Sequence, residues 1–192
     1  MEVLNKYIVS TETSALLPAK SIDFQTIVLE NNRKLYVRRT PFEIIKDSCL
    51  QNWSTYEGRK QATIHRTGFK EKVPIPINPL DAIIALPTHG LRHHNCSWIM
   101  LEHIFDYRPI DKNRVKIIFH SKQTIEIDLS YNALDNQYKR GMHVKQCFVV
   151  DYQLSVKVPP YHSPFMVSQP FPFYRPYKPN PSMGTNKKDR FS

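Results

Sequence analysis

The sequence predicts an α+β fold: a single domain of mostly antiparallel short strands with about two helices, followed by a proline-rich C-terminal tail. Three observations carry this. Short runs of β-branched and aromatic residues recur between turn-forming residues from Tyr7 onward. Two stretches, after Thr40 and from Asn132, instead repeat apolar residues at helical spacing. Beyond Val158, prolines crowd too closely for regular hydrogen-bonded structure. The domain is therefore read as residues 1–158 and the tail as residues 159–192, extended or disordered.

In chain order, Tyr7-Ile8-Val9, Phe24 to Leu29 and Leu35-Tyr36-Val37 read as strands, the last two joined into a hairpin at Asn31-Asn32. Thr40-Pro41-Phe42-Glu43 is a capping box with proline in the first helical position, so a helix begins there. Phe42, Ile45, Cys49 and Trp53 form its apolar stripe, which makes Cys49 a core residue rather than a nucleophile. Ser54 to Lys72 reads as partly helical or looped. Val73 to Pro79 alternates proline with Val and Ile and suits an edge segment. Asp81 to Leu86 is a short buried strand, and Cys96 to Tyr107 reads as one long strand. Val115 to Phe119 pairs with Ile125 to Leu129, Thr124, Glu126 and Asp128 alternating outward. A helix from Asn132 to about Cys147 places Leu134, Tyr138 and Met142 on one side.

Composition narrows the function. The 192 residues carry 27 Lys and Arg against 17 Asp and Glu, a net charge of +10 that makes a polyanion the natural partner. No run of about 18 apolar residues is present and the N-terminus lacks the pattern of a secretory signal, so no membrane association is expected. Three widely spaced cysteines fit a reducing cytoplasm rather than a disulfide framework. No Walker loop, GxGxxG, GxSxG or HExxH occurs, and five glycines leave little material for phosphate-cradling loops, so no enzyme activity and no cofactor is expected.

The charge concentrates between Arg33 and Lys72, where ten cations face four acids. Arginines beside aromatic residues and glycines suit phosphate contacts and a narrow, strongly negative A/T-rich minor groove. Arg38, Arg39, Arg59 and Arg66 are the candidates for insertion, Lys60, Lys70 and Lys72 for phosphate, and Tyr56 for the same surface. Arg38 and Arg39 alternatively lie on a solvated strand edge.

His89, His93, His94 and Cys96 lie close enough in sequence to suggest a zinc site, with His103 further on. No CxxC accompanies them and Gly90 opposes a helix there, so surface histidines are the preferred reading and no metal is expected. The tail's Phe165, Phe171, Phe173, Tyr174 and Tyr177 suit either docking in a partner's groove or packing back on the domain.

Several segments resemble the ComK family of competence transcription factors from Gram-positive bacteria. They are Pro41 to Cys49, Ser54-Thr55-Tyr56-Glu57-Gly58-Arg59-Lys60, Pro74 to Ile77, Leu86-Pro87-Thr88, Cys96-Ser97-Trp98-Ile99 and Ser130-Tyr131-Asn132. The likeness runs from about Tyr7 to Arg140. It implies a cytoplasmic, nucleoid-associated activator of DNA-uptake genes that works with RNA polymerase. Binding to paired A/T-rich boxes on double-stranded DNA, through the minor groove and as cooperating dimers, is implied with it. It also implies capture by a MecA-type adaptor for a ClpC/ClpP protease through a C-terminal aromatic-proline motif. Phe171, Phe173, Tyr174 and Pro176 approximate that motif, with Arg175 intervening. The three histidines are not part of the family pattern. The competing readings are a general RNA-binding protein and a His/Cys metal protein.

Overall fold

The structure, a computed structural model, describes residues 2–156, with side chains as far as Phe148. A seven-stranded sheet is built from β1 (Val3–Leu4), β2 (Thr13–Pro18), β3 (Thr26–Glu30), β4 (Lys34–Val37), β5 (Ile75–Asn78), β6 (Ile83–Pro87) and β7 (Trp98–Met100). Its order is β1-β4-β3-β2-β7-β6-β5, and every pairing except the short parallel β1–β4 contact is antiparallel. A second, antiparallel sheet of β8 (Ile104–Pro109), β9 (Val115–Phe119) and β10 (Thr124–Ile127) has the order β10-β9-β8. Three helices complete the described residues: α1 (Pro41–Gln51), α2 (Tyr56–Thr67) and α3 (Tyr131–Val156). The domain is α+β, with one helix more than the sequence predicts.

Alternation along the central strands explains the layering. Leu16, Val28, Ala85, Trp98 and Met100 face one buried cluster, which also holds Ile44, Ile45 and Cys49 of α1 and Tyr56 of α2. Their neighbours Ala15, Leu29, Ile84, Leu86 and Ile99 face a second cluster formed with β8–β10 and α3. The large sheet is therefore covered on both faces, and its central strands read as nearly continuous apolar runs. Gly141 lets α3 come close: a Cβ there would lie 2.6 Å from Leu86 and 3.2 Å from Leu101.

The capping box forms as expected. Glu43 N donates to Thr40 Oγ1 at 3.2 Å, and Thr40 N donates to Glu43 Oε2 at 2.9 Å. The bond from the Thr40 amide, with one from its hydroxyl at 3.0 Å, holds the Glu43 carboxyl below its ordinary range. The Asn31-Asn32 hairpin is present, and β5 sits at the sheet edge, where Pro76 and the register shift after it are tolerated.

Other expectations change. Tyr7 to Val9 is a packed loop: the Val9 amide donates to Ser48 Oγ on α1 at 2.9 Å instead of joining a ladder, and the strand is β2 further on. Cys96 to Tyr107 breaks at a 3-10 turn, Leu101–His103, which carries the chain from β7 in one sheet to β8 in the other. α3 begins one residue earlier and runs to Val156, well past Cys147. Met142 is exposed, because the buried face follows Leu134, Gln137, Gly141 and Val144 rather than strict steps of four.

Trp53 leaves the α1 stripe altogether. Ser54 N donates to Cys49 O at 3.1 Å and Trp53 N to Leu50 O at 3.1 Å, the double bond pattern of a Schellman C-cap. Trp53 occupies the position usually given to glycine, with φ 60°, and its side chain is 99% exposed.

Candidate nucleic-acid interface

Strand register determines which loops share an end of the large sheet. Val37 pairs with Thr26, Pro18 with Thr26, Leu16 and Pro87 with Trp98, and Ala85 with Ile75. The ends of β1, β2, β4 and β6 and the starts of β3, β5 and β7 therefore form one rim. Five connections meet there, and they carry Lys6, Lys20, Arg38, Arg39, Lys70, Lys72 and Arg92 against Asp23 and Glu71, with Glu43 beside them in the first turn of α1. All seven cations are exposed except Lys72, which is half-buried. The opposite rim carries Glu2, Glu12, Glu30, Asp81 and Glu102 with Arg33 and Lys34. The sheet is thus polarised, basic at one end and acidic at the other.

A groove of about 910 Å³ opens at the basic end. Lys60 and Tyr56 of α2, Lys70 to Val73, Pro87, and His89 to His93 line it. α3 fixes the lysine segment from behind: Gln137 Nε2 donates to Lys72 O at 2.7 Å, Arg140 bonds Glu71 O, and the Arg140 guanidinium lies 4.4 Å from the Phe69 ring centre. Lys72 itself adopts a left-handed backbone, φ 43°.

The β6–β7 connection is braced as firmly. His93 N donates to Gly90 O and Cys96 N to His93 O. The His89 and His93 rings stack at 4.4 Å and 12°, and those of His93 and His94 at 4.9 Å and 13°. His89 Nε2 donates to Asp128 O at 3.0 Å, so its Nδ1 accepts from the Thr88 hydroxyl at 3.0 Å. Burial, then His93, depress the His89 pKa. The Cys96 thiol donates to His89 O at 3.3 Å, and burial pushes its pKa up. Among the described residues, no three His, Cys, Asp or Glu side chains converge as metal ligands would.

The residues chosen from the sequence divide accordingly. Arg38 and Arg39 are exposed on the basic rim, Arg39 paired with Glu43 at 3.2 Å. Lys60, Lys70 and Lys72 share the groove. Tyr56 borders it but is only 6% exposed, held in the core by edge-on contacts to Phe42 and Trp98. Arg59 is half-buried and bonded to the α1 terminus. Arg66 is exposed on the last turn of α2, beside a separate pocket of about 200 Å³ lined by Val144, Cys147 and Phe148. Arg33, counted in the basic stretch, lies on the acidic rim and pairs with Glu30. Phe171, Phe173, Tyr174 and Pro176 lie outside the described residues. Sequence reasoning missed Lys6, Lys20 and Arg92, which join the rim only through strand order. Their one local signal is a position beside turn-forming residues flanking strands.

The family described as ComK protein matches residues 4–151, further at both ends than the likeness read from the segments alone. The competence transcription factor of Bacillus subtilis (strain 168) is 31% identical over 147 residues, 76% of this chain and 76% of that one. No solved structure matches. Among the described residues no helix is long and apolar enough to cross a membrane. The chain belongs to the ComK protein family.

Proposed function

We propose that this protein is a competence transcription factor that binds double-stranded, A/T-rich DNA on the basic rim of its large sheet and activates DNA-uptake genes. The carrying observation is the charge polarity. Cations from five connections converge at one end while acids collect at the other, so a polyanion is steered onto a single face. Exposed arginines on short connections suit a narrow A/T-rich minor groove, whose negative potential favours them. Lysines in the adjacent groove suit phosphates, which position the protein without reading sequence.

Protection mapping on an A/T-rich promoter tests this. The expected result is phased protection of A/T boxes, lost when a minor-groove ligand is added and lost with Lys70→Glu/Lys72→Glu/Arg92→Glu. Equal affinity for mixed-sequence duplex, or displacement by single-stranded RNA at lower concentration than by duplex, overturns the reading. Pairing of dimers on DNA, contact with RNA polymerase, and capture by a MecA-type adaptor through Phe171, Phe173, Tyr174 and Pro176 belong to the same proposal on family resemblance. Sedimentation of the DNA complex tests the first. Lifetime in cells after removal of residues 159–192 tests the last.

A further inference from the structure

The basic rim carries two features that electrostatics does not use. Ile22, on the β2–β3 connection, is 104% exposed, and Leu91, on the β6–β7 connection, is 40% exposed. Each stands beside a cation of its own loop, Lys20 and Arg92. Single exposed aliphatic residues are common on protein surfaces. Two at the tips of neighbouring loops, both on the most basic end of the domain, are a different matter, because apolar tips among cations are the combination that opens base steps from the minor groove.

Both connections are closed by hydrogen bonds that flank the exposed residue. Ala19 N donates to Gln25 O at 2.9 Å and Gln25 N to Val37 O at 2.9 Å, closing the β2–β3 connection, and the Phe24 ring packs edge-on to Tyr36. The β6–β7 connection is closed by its turn bonds and by the three stacked imidazoles. Because β2 pairs with β7, the connections are next to one another, about two strand spacings or roughly 10 Å between centres. That is about three base steps along a strand.

We propose that Ile22 and Leu91 are wedges that insert between base steps of the bound duplex, unstacking two steps about three apart. The inference rests on the DNA-binding reading of the same rim. It adds which side chains deform the nucleic acid and where. The surrounding cations supply affinity, and the wedges supply preference for sequences whose steps unstack at low cost, such as TA.

The test uses the full chain and a set of A/T-rich duplexes, each with 2-aminopurine at one successive position, with binding followed in parallel by anisotropy. Unstacking raises 2-aminopurine emission. The expected result is a rise of at least about two-fold at two positions roughly three steps apart. Ile22→Ser abolishes one rise and Leu91→Ser the other, each read at protein concentrations where anisotropy shows the duplex saturated. Binding by the native chain with no rise at any position overturns the wedges and leaves DNA binding standing. Rises that persist in the Ile22→Ser/Leu91→Ser double variant also overturn them. If the native chain fails to bind any of the duplexes, the DNA-binding reading itself falls and the wedges fall with it.

Discussion

Arg59 Nη2 donates to the main-chain carbonyl of Asn52 at 2.7 Å, so the guanidinium on α2 closes the C-terminal end of α1. Its Nε is buried without a hydrogen-bond partner among the described residues. The sequence alone assigns Arg59 to nucleic acid. The geometry predicts otherwise. Arg59→Ala removes a charge-assisted bond to an orphan helix carbonyl and lowers stability by about 2 kcal/mol. The urea midpoint checks this, and an unchanged midpoint removes Arg59 from the α1–α2 junction.

Trp53 offers a substitution of opposite sign. It holds a left-handed backbone at the end of α1 and is almost wholly exposed, so its side chain contributes no burial. Glycine relieves the steric cost at that φ, while its larger unfolded-state entropy cancels part of the gain. Trp53→Gly is expected to stabilise the domain by roughly 0.5–1 kcal/mol. The buried Trp98, 1% exposed, remains as the fluorescence probe for the unfolding curve. A lower midpoint shows that Trp53 holds something in place.

The polarity of the large sheet predicts a salt dependence that differs from one end to the other. Replacing Lys70, Lys72 or Arg92 with alanine is expected to weaken duplex binding and to reduce the slope of log affinity against log salt by about one each. Arg33→Ala, on the acidic rim, leaves both quantities unchanged despite lying in the same basic stretch of sequence. Isothermal titrations at four salt concentrations separate these cases. Equal effects from both rims mean that net charge, and not its placement, drives binding.

Two half-buried imidazoles set an acid limit. His89 lies between the Asp128 carbonyl and the Thr88 hydroxyl, facing His93 and Lys72. His103 lies between the Thr11 carbonyl and the Ser14 hydroxyl. Burial lowers the pKa of both below the ordinary 6.5 by disfavouring the charged ring. The unfolded chain therefore binds these protons first, and stability falls as pH drops through 6.5, levelling below the folded pKa values. Thermal unfolding between pH 8 and 5 is expected to show a flat region and then a decline, with a shallower decline in His103→Gln. A midpoint that rises on acidification contradicts neutral rings held between these partners.

Local chemistry was legible in the sequence wherever neighbours in the chain are also neighbours in space. The Thr40–Glu43 capping box, the Asn31-Asn32 hairpin, the proline-marked edge strand β5 and the β9–β10 hairpin all depend on contacts a few residues long. α2 was half-read because its exposed face is strongly polar and only Tyr56 and Thr63 are buried, which leaves little apolar periodicity to find. The break between β7 and β8 was invisible, since an apolar run reads the same whether it continues in one sheet or passes into another.

The sequence by itself determined that the chain is basic and that the excess is concentrated between Arg33 and Lys72, which makes Lys60, Lys70 and Lys72 the lysines expected to meet a polyanion. Only the tertiary structure decided which cations share a surface. Strand order placed Lys6, Lys20 and Arg92 beside them, sent Arg33 to the opposite rim, and turned Arg59 and Tyr56 inward. The reason is physical: charge accumulates along a chain additively, but the field a partner meets depends on distance. In an antiparallel sheet each strand carries the chain to the opposite end, so cations a few residues apart can face opposite ways while distant ones meet.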